Sequence, residues 1–483
     1  MGKAEQPPPS LRFGSTQGRW VIAAAVLGSG IAFLDGSVVN TALPKIQETF
    51  GASLAGQQWI VTGYLLTLGS LLVVGGSLGD VFGRRRMFVT GLVGFSITSM
   101  LCGLAPNLTV LIASRIAQGV AAALLVPGSM AMLSAVFHPD DRAKALGAWS
   151  GLASVSTALG PFLGGWLIDA VSWRWIFLIN LPLATVAVVI AQRFVPETRG
   201  DPLEGSSRSS QIDFPGAFTL SVGLAGVVYA LIEGPAQRWP GASVAALLVG
   251  LLALAVFAVV EARSSNPMVP LSLFRSRRFA GANAATFVMW GALGAVFFLL
   301  TIHLQNDLGY SALEAGAATL PVTILMLLFA ARSGAMAQRI GPRLPMSVGP
   351  LVTAAAFAWF SQVKPGVAYL TGILPSVTLF GVGLVITVAP LTATVLAAVE
   401  DSRAGVGSAI NNAVARVASL LAIAVLPALS GIAVGGVGSL SGGFGRAMWI
   451  CAFLAAAGGV ISFLTITNDG PVGSTALQRT GGP

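Results

Sequence analysis

Residues 57–86 read QQWIVTGYLLTLGSLLVVGGSLGDVFGRRR, and this stretch decides the fold class. Its first part, residues 57–78, contains no charged side chain and no regular alternation of apolar and polar residues. A helix needs about 20 apolar residues to cross the hydrocarbon core of a bilayer, so this run is long enough to span one. Three consecutive arginines, Arg84 to Arg86, follow a short polar turn. The stretch therefore predicts a transmembrane helix that ends in a basic loop.

The composition of the whole chain also indicates a membrane protein. Of its 483 residues, 55% are hydrophobic and 9% are charged, whereas an ordinary soluble domain has about 25% charged residues. The mean hydropathy of +0.82 leaves too little polar surface to cover a water-soluble body. Only helices and closed barrels satisfy their backbone hydrogen bonds in lipid, and the apolar runs lack the alternation of barrel strands. We therefore predict an all-α polytopic membrane protein.

Fourteen apolar runs are predicted as spans. They cover residues 20–43, 57–78, 87–105, 108–136, 145–169, 175–194, 215–234, 243–261, 279–304, 314–336, 345–361, 367–398, 405–433 and 446–467. The first run is too long for the apolar part of a signal peptide, so we expect it to remain in the chain. With the N-terminus in the cytoplasm, twenty Lys and Arg residues fall on the cytoplasmic side, five fall outside, and Arg115 and Arg416 fall within spans. This bias predicts two cytoplasmic termini, and it explains the net charge of +9 without a nucleic-acid partner.

Two polar linkers and an internal repeat divide the chain. We predict an N-terminal six-helix bundle at 1–194, a linker with two extra helices at 195–278, a C-terminal six-helix bundle at 279–467 and a cytoplasmic tail at 468–483. The loop GSLGDVFGRR at 76–85 is similar to the loop GAMAQRIGPR at 334–343, because two glycines and the final arginine align. Repeated halves around a site in mid-membrane are typical of alternating-access transporters.

Four motifs resemble those of the major facilitator superfamily. The loop 76–85 is similar to its cytoplasmic loop motif, G-x-L-a-D-x-x-G-R-[KR]. Segments 34–44, 114–119 and 160–165 resemble motifs of the drug:proton antiporter branch with fourteen spans, and the string at 173–182 is also similar to that branch. Ser156 departs from the motif of the fifth span, which usually begins with glycine. The resemblance implies a major facilitator fold of two six-helix bundles plus two inserted helices, and proton-coupled export.

Asp35 is the only one of the 18 Asp and Glu residues that is predicted well inside a span. A charged group within the membrane is costly and by default marks a functional site, so Asp35 is the candidate carrier of the coupled proton. Arg115 is predicted at a similar depth, and the resemblance implies that the two residues approach each other. The alternatives are a structural acid at Asp35 and a structural anchor at Arg115. His303 and Asp307, near the outer end of the ninth span, are a further candidate proton site.

The resemblance also assigns two motifs to the transport cycle. The gating loop comprises Gly76, Asp80, Gly83, Arg84 and Arg85. Asp80 is expected to hold the inner side shut by meeting the start of the thirteenth span near Gly405, since a helix N-terminus attracts a carboxylate; alternatively, the arginines only fix the topology. The antiporter motif comprises Gly160, Pro161, Gly164 and Gly165. Its missing side chains and missing backbone donor predict close helix contact and a kink, and importers of the same fold generally lack it.

Seven residues are predicted to line a substrate cavity: Asn40, Trp59, Tyr64, Asn180, Asn411, Asn412 and Arg416. Asn412 and Arg416 share one face of their helix. A buried arginine must face a cavity or a partner, so Arg416 either binds an anionic group or joins the two halves. For Trp59 and Tyr64 the alternative is a structural role, because aromatic residues are common near membrane interfaces.

Other classes of function lack the residues they require. Cys102 and Cys451 both lie in apolar runs and predict neither a disulfide framework nor a metal site. No Walker loop is present to bind ATP. The two histidines, His138 and His303, lie in different parts of the chain, which argues against a membrane enzyme. We expect no cofactor and no metal.

The sequence thus predicts a monomeric, multi-pass antiporter of the bacterial cytoplasmic membrane. Its expected partners are protons, the lipid bilayer and a small-molecule substrate, and by resemblance that substrate is an amphipathic or cationic drug-like compound. The alternative is export of one dedicated metabolite, such as an antibiotic or a lipid-like molecule. The scarcity of acids within the spans weakens the case for a broad exporter of cations.

Overall fold

The computed structural model describes residues 11–200, 213–264, 266–400, 404–433, 440 and 442–468. Residues 201–212 of the predicted linker and 469–483 of the predicted tail lie outside the described residues, as do Lys3, Arg208, Arg403 and Arg479 of the charge count. The helices are α1 Thr16–Phe50, α2 Leu54–Phe82, α3 Arg84–Gly103, α4 Leu108–Val136, α5 Pro139–Ala170, α6 Trp175–Leu178, α7 Asn180–Phe194, α8 Phe214–Ala236, α9 Gly241–Arg263, α10 Arg277–Ile302, α11 Ala312–Ala318, α12 Leu320–Ile340, α13 Arg343–Phe360, α14 Leu374–Ala397, α15 Ala404–Leu429 and α16 Phe444–Thr465.

Thirteen segments of the described chain are long and apolar enough to cross a membrane. Two of them are interrupted helices, since α6 with α7 forms one segment and α11 with α12 forms another. The helix α13 stands at the position of the eleventh predicted span, but it has only 18 residues, begins with Arg343 and contains Pro350. With α13 included, every predicted span corresponds to a helical segment, and the all-α membrane fold class is confirmed.

The helices pack as two groups around an inserted pair. Helices α1 to α7 pack on one another, chiefly α2 on α4 and α1 on α5. Helices α10 to α16 form the second group, in which α10 packs on α15 and α13 packs on α14 and α16. The inserted helices α8 and α9 pair with each other, and α8 lies against α2. The two groups, called here the N-half and the C-half, meet chiefly through α2 on α15 and α5 on α11.

The two repeated loops adopt the same local geometry. The residue that follows α2 is Gly83, with φ 112°, and the residue that follows α12 is Gly341, with φ 85°. These positive φ angles favour glycine, which has no Cβ to clash with the backbone. The next helix then begins at Arg84 in the N-half and at Arg343 in the C-half. The aligned glycines of the repeat therefore end equivalent helices.

A polar side chain caps the helix that follows each of these glycines. Glu197 accepts hydrogen bonds from the backbone N–H of Arg85 at 3.0 Å and of Arg86 at 3.2 Å. Asn468 accepts a hydrogen bond from the backbone N–H of Arg343 at 3.2 Å. Glu197 lies three residues beyond the end of α7, and Asn468 lies three residues beyond the end of α16. The repeat therefore extends to these caps, where the residue type differs between the halves.

The halves are joined by hydrogen bonds at one end of the bundle. We call the end where α1 begins and α16 ends the terminal face, and the opposite end the far face. Five hydrogen bonds that join the halves lie toward the far face. They run from Gln58 to the carbonyls of Ile423 at 2.6 Å and Ala424 at 3.1 Å, from Gln305 to the carbonyl of Thr41 at 2.9 Å, from Asn306 to Gln47 at 3.2 Å, and from the N–H of Leu313 to Asp169 at 2.8 Å.

Candidate functional site

Asp35 and Arg115 form an ion pair in the middle of the N-half. Asp35 lies on α1 and Arg115 on α4, and Nη1 of the arginine lies 2.5 Å from Oδ2 of the aspartate. The side chains are 0% and 1% exposed, so both charges are shielded from bulk solvent in this conformation. Losing either partner would leave a buried charge without its counter-ion, which is why such pairs are strongly coupled.

Three neutral side chains complete the hydrogen bonding around the carboxylate. Gln118 and Asn180 each donate to Oδ1 of Asp35, at 3.1 Å and 3.3 Å. The same two amides donate to Oγ of Ser99, at 3.2 Å and 3.0 Å. Ser99 in turn donates to the carbonyl of Phe177 at 2.9 Å. This Asp35 cluster thus joins α1, α3, α4 and α7 through one continuous set of buried hydrogen bonds.

Arg115 has acceptors other than Asp35. Its Nη1 donates to Oε1 of Gln118 at 2.6 Å, and its Nε donates to the carbonyl of Ile60 at 3.2 Å. The guanidinium also lies 4.3 Å from the centre of the Tyr64 ring, a cation–π contact. The arginine therefore keeps polar and aromatic partners in the N-half when its bond to Asp35 is lost.

One acceptor beside Asp35 is unused. The Oδ1 atom of Asn180 is buried and has no hydrogen-bond partner, although most buried polar atoms have one. A protonated carboxyl group is a donor and needs an acceptor, whereas a carboxylate is an acceptor only. Rotation of the Asn180 amide would present Oδ1 to Asp35. The cluster can therefore accommodate either protonation state of this carboxyl group.

The gating loop makes its contacts within the N-half. Asp80 forms an ion pair with Arg84 at 2.8 Å, and its backbone carbonyl accepts a hydrogen bond from Gly200 at 3.0 Å. Arg85 donates to the carbonyl of Val195 at 3.0 Å. In the described part of the chain, no hydrogen bond or ion pair connects Asp80 with α15. The predicted contact near Gly405 is thus not made in this conformation.

The antiporter motif lies between two helices. Cβ atoms added at Gly160 and Gly164 would collide with Ser37 and Val38 of α1, so both glycines permit close packing of α5 on the helix that carries Asp35. A Cβ at Gly165 would lie 2.6 Å from Cα of Leu313 and would also collide with the carbonyl of Ala312, both in the C-half. The motif therefore contacts α1 on one side and α11 on the other.

Four of the predicted cavity residues are engaged elsewhere in this conformation. Tyr64 packs on Arg115 and Asn180 belongs to the Asp35 cluster, and they are 2% and 0% exposed. Trp59 donates from Nε1 to Glu233 of the inserted helix α8 at 2.8 Å. Asn411 donates to Oδ1 of Asn283 and Oγ1 of Thr286 on α10, at 3.1 Å and 2.8 Å, and so packs within the C-half.

The other three predicted cavity residues are partly exposed. Asn40 lies on α1, and its buried Oδ1 has no hydrogen-bond partner. Asn412 donates to the carbonyl of Ser408, one turn earlier on α15, at 3.0 Å. The guanidinium of Arg416 lies 5.8 Å from the centre of the Phe33 ring of α1. Arg416 of the C-half therefore lies beside α1 of the N-half.

His303 and Asp307 form a second buried pair, near the far face of the C-half. Nδ1 of the histidine lies 2.6 Å from Oδ2 of the aspartate, and Nε2 lies 3.0 Å from the carbonyl of Val363. The pair lies in a π-helical turn, and the imidazole stacks on Phe444 with ring centres 3.8 Å apart. Because a carbonyl is an acceptor only, Nε2 is the donor in its contact with Val363, and Nδ1 faces the carboxylate.

The roles of Gln118 and Ser99 were missed by reasoning from the sequence. Gln118 belongs to the quoted segment 114–119, one helical turn after Arg115, so its spacing was an available signal. Nothing in the sequence distinguishes Ser99 from other small polar residues of its span. Among the described residues, no group of three or more His, Cys, Asp or Glu side chains is placed to hold a metal ion.

Similar proteins include several drug- and antibiotic-resistance proteins of bacteria. Multidrug resistance protein Stp of Mycobacterium tuberculosis is 34% identical over 81% of this chain and 72% of its own length. Puromycin resistance protein pur8 of Streptomyces alboniger is 35% identical over 81% of this chain and 78% of its own. The tetracenomycin C resistance and export protein of Streptomyces glaucescens is 34% identical over 90% of this chain and 80% of its own.

Solved transporter structures share the fold. A POT family transporter in complex with 5-aminolevulinic acid superposes with a TM-score of 0.70 over 95% of this chain and 97% of its own, at 14% identity. The human organic anion transporter MFSD10 gives a TM-score of 0.64 over 93% of this chain and 100% of its own, at 17% identity. The sequence model of the Major Facilitator Superfamily matches residues 25–423. The chain therefore belongs to the major facilitator superfamily and is a multi-pass membrane transporter rather than an enzyme.

Proposed function

We propose that this transporter exports amphipathic drug-like molecules in exchange for protons, and that Asp35 carries the proton. The observation that carries the proposal is the buried cluster in which Asp35 meets Arg115, Gln118 and Asn180. An intramembrane acid with a switchable partner is the arrangement that proton relays use. The relatives named for resistance to puromycin and for resistance to and export of tetracenomycin C support drug-like substrates.

The terminal face is assigned to the cytoplasm, which places both chain termini inside the cell. The bias of Lys and Arg residues toward that side supports this orientation. The hydrogen bonds between the halves then close the outer end, as in the inward-open state of an alternating-access cycle. Each chain contains both halves and a complete Asp35 cluster, so the monomer is the working unit.

The proton acts on the ion pair. When a proton from outside reaches Asp35, the carboxyl loses its charge and becomes a donor to the Asn180 oxygen. Arg115 then keeps Gln118 and the Ile60 carbonyl as acceptors, so its charge remains solvated by the protein. Release of the proton toward the cytoplasm restores the ion pair. The free-energy difference between these two states is what biases the conformational equilibrium.

The antiporter motif transmits this change to the far face. Gly160 and Gly164 hold α5 against α1, the helix that carries Asp35, and Gly165 holds α5 against α11. A shift of α1 that follows protonation therefore displaces the contact that closes the far face. In the opposite conformation, Asp80 leaves Arg84 in part and meets the start of α15, which holds the terminal face shut.

Export of one dedicated metabolite is the second candidate. Broad exporters of cations gain from several carboxylates within the membrane. Among the described residues, Asp35 is the one acid in the middle of a span, and Arg115 already neutralises it. This charge balance favours a narrower substrate range.

Transport in inverted membrane vesicles tests the proposal. A proton gradient, acid inside, should drive accumulation of ethidium, puromycin or tetracenomycin C, and a protonophore should abolish it. The Asp35→Asn variant should lose the accumulation, while Glu48→Gln, which alters an exposed acid near the far end of α1, should keep most of it. Equal accumulation by the parent and Asp35→Asn would refute the assignment of the proton to Asp35.

A further inference from the structure

Arg416 is a cation in mid-membrane to which the described part of the chain supplies no counter-ion. It lies near the middle of α15, beside Gly69 of α2 and Phe33 of α1, where the two halves meet. Among the described residues, no hydrogen bond or ion pair involves its guanidinium, and the residue as a whole is partly exposed. The other intramembrane arginine, Arg115, is fully buried and paired with Asp35. The two arginines therefore differ in what they can do.

Packing does not compensate the Arg416 charge. An arginine at the centre of a span costs about 2.5–3.5 kcal/mol on the insertion scale. Its contact with the Phe33 ring, at 5.8 Å, is near the limit of the cation–π range, where such contacts contribute about 0.5–1 kcal/mol. The rest of the free-energy cost of placing this charge in the membrane is left to water between the halves or to a bound anion. A substrate that supplies the anion would therefore gain affinity at this position.

We infer that Arg416 binds an anionic group of the substrate, so that the preferred substrates are amphipathic organic acids rather than cations. A carboxylate matches the planar fork of donors that a guanidinium presents. The apolar part of such a molecule has a matching surface in Phe33 and the neighbouring small residues of α1, Gly36 and Ser37, which are also partly exposed. The negative charge of Asp35 does not repel an anion at this position, because Arg115 neutralises it in the ion pair.

This inference rests on the proposed export function and narrows its substrate class. Dansyl compounds supply matched probes: dansylglycine carries a carboxylate, dansylglycinamide replaces it with a neutral amide, and dansylcadaverine carries an amine. Each is added to inverted vesicles with an imposed proton gradient, and binding to the purified protein in lipid nanodiscs is followed by dansyl fluorescence. The parent should accumulate and bind dansylglycine in preference to the other two.

The variants Arg416→Gln and Arg416→Lys test the residue. Loss of the charge should weaken dansylglycine binding by about tenfold or more, as expected for a charge-assisted hydrogen bond. Lysine should restore part of the affinity, and binding of dansylglycinamide should change little in either variant. Arg332→Gln is the matched control, because Arg332 also lies over a phenylalanine, at 5.6 Å from Phe329, but is exposed on α12. This control should bind dansylglycine as the parent does.

Other outcomes separate the inference from the proposed function. Gradient-driven accumulation of dansylcadaverine but not dansylglycine would overturn the inference and leave proton-coupled export intact. Dansylglycine binding that is unchanged in Arg416→Gln would also overturn it. Failure of all three probes and of ethidium, puromycin and tetracenomycin C to accumulate would overturn the proposed function and the inference together.

Discussion

Gly165 offers a direct test of how the far face closes. Replacing it with alanine adds a Cβ that would lie 2.6 Å from Cα of Leu313 and would collide with the carbonyl of Ala312. Both neighbours are backbone atoms, so no side-chain rotation relieves the clash and α5 must move away from α11. Overpacking of this kind costs about 1–3 kcal/mol, which corresponds to roughly a 5- to 150-fold shift away from the closed far face.

Distances between spin labels measure that shift. Labels at Val171 and Lys364 lie on exposed far-face positions of the N-half and the C-half. The native cysteines, Cys102 and Cys451, are buried and free, so background labelling should be low. Gly165→Ala should lengthen the label distance and slow transport. The matched control is Gly151→Ala on the same helix, where an added Cβ meets nothing within 4 Å.

The label distances of these two variants decide whether close packing of Gly165 on α11 is required for the far face to close. Gly165→Ala with the distance distribution of the parent would refute the reasoning. A lengthened distance in Gly151→Ala as well would show that α5 responds to any added methyl group.

Three further predictions follow from the described contacts. Asp35→Ala should lower stability by about 3–5 kcal/mol because it leaves the buried charge of Arg115 unpaired, and the double variant with Arg115→Ala should recover part of the loss. Equal melting temperatures for the single and double variants would contradict this. Gly83→Ala and Gly341→Ala should both lower the melting temperature, because positive φ and a nearby cap oppose a side chain at each site, and an unchanged value for either would argue against equivalent roles. His303→Gln should keep gradient-driven uptake while lowering stability; loss of uptake with exchange preserved would assign coupling to that pair as well.

Patterns within single helices were predictable from the sequence. The apolar runs gave the positions of the spans, because a bilayer imposes one length and one polarity on every crossing helix. The repeat of glycine and arginine at 83–85 and at 341–343 corresponds to equivalent helix ends with positive φ. The predicted approach of Asp35 and Arg115 is present as an ion pair, whereas their role in coupling stays a prediction.

Contacts between helices were harder to predict from the sequence. Tyr64 and Asn180 were placed in the cavity by type and position, but packing of α1, α3 and α4 brings them into the buried cluster. The caps at Glu197 and Asn468 were missed because each lies about a hundred residues or more from its partner in sequence. The break of predicted span 6 at Ile179 had a signal in the sequence that was not used: Pro182 has no N–H to donate to the carbonyl of Leu178, where α6 ends.

The central claim is that substrate leaves the cell as a proton enters through Asp35. Its most direct test is proton movement driven by substrate alone, in proteoliposomes that contain a trapped pH indicator and a downhill substrate gradient. The parent should move protons against the direction of the substrate, and Asp35→Asn should move none while still exchanging labelled substrate for unlabelled. Substrate-driven proton movement in Asp35→Asn equal to that of the parent, or none in the parent despite transport, would contradict the account.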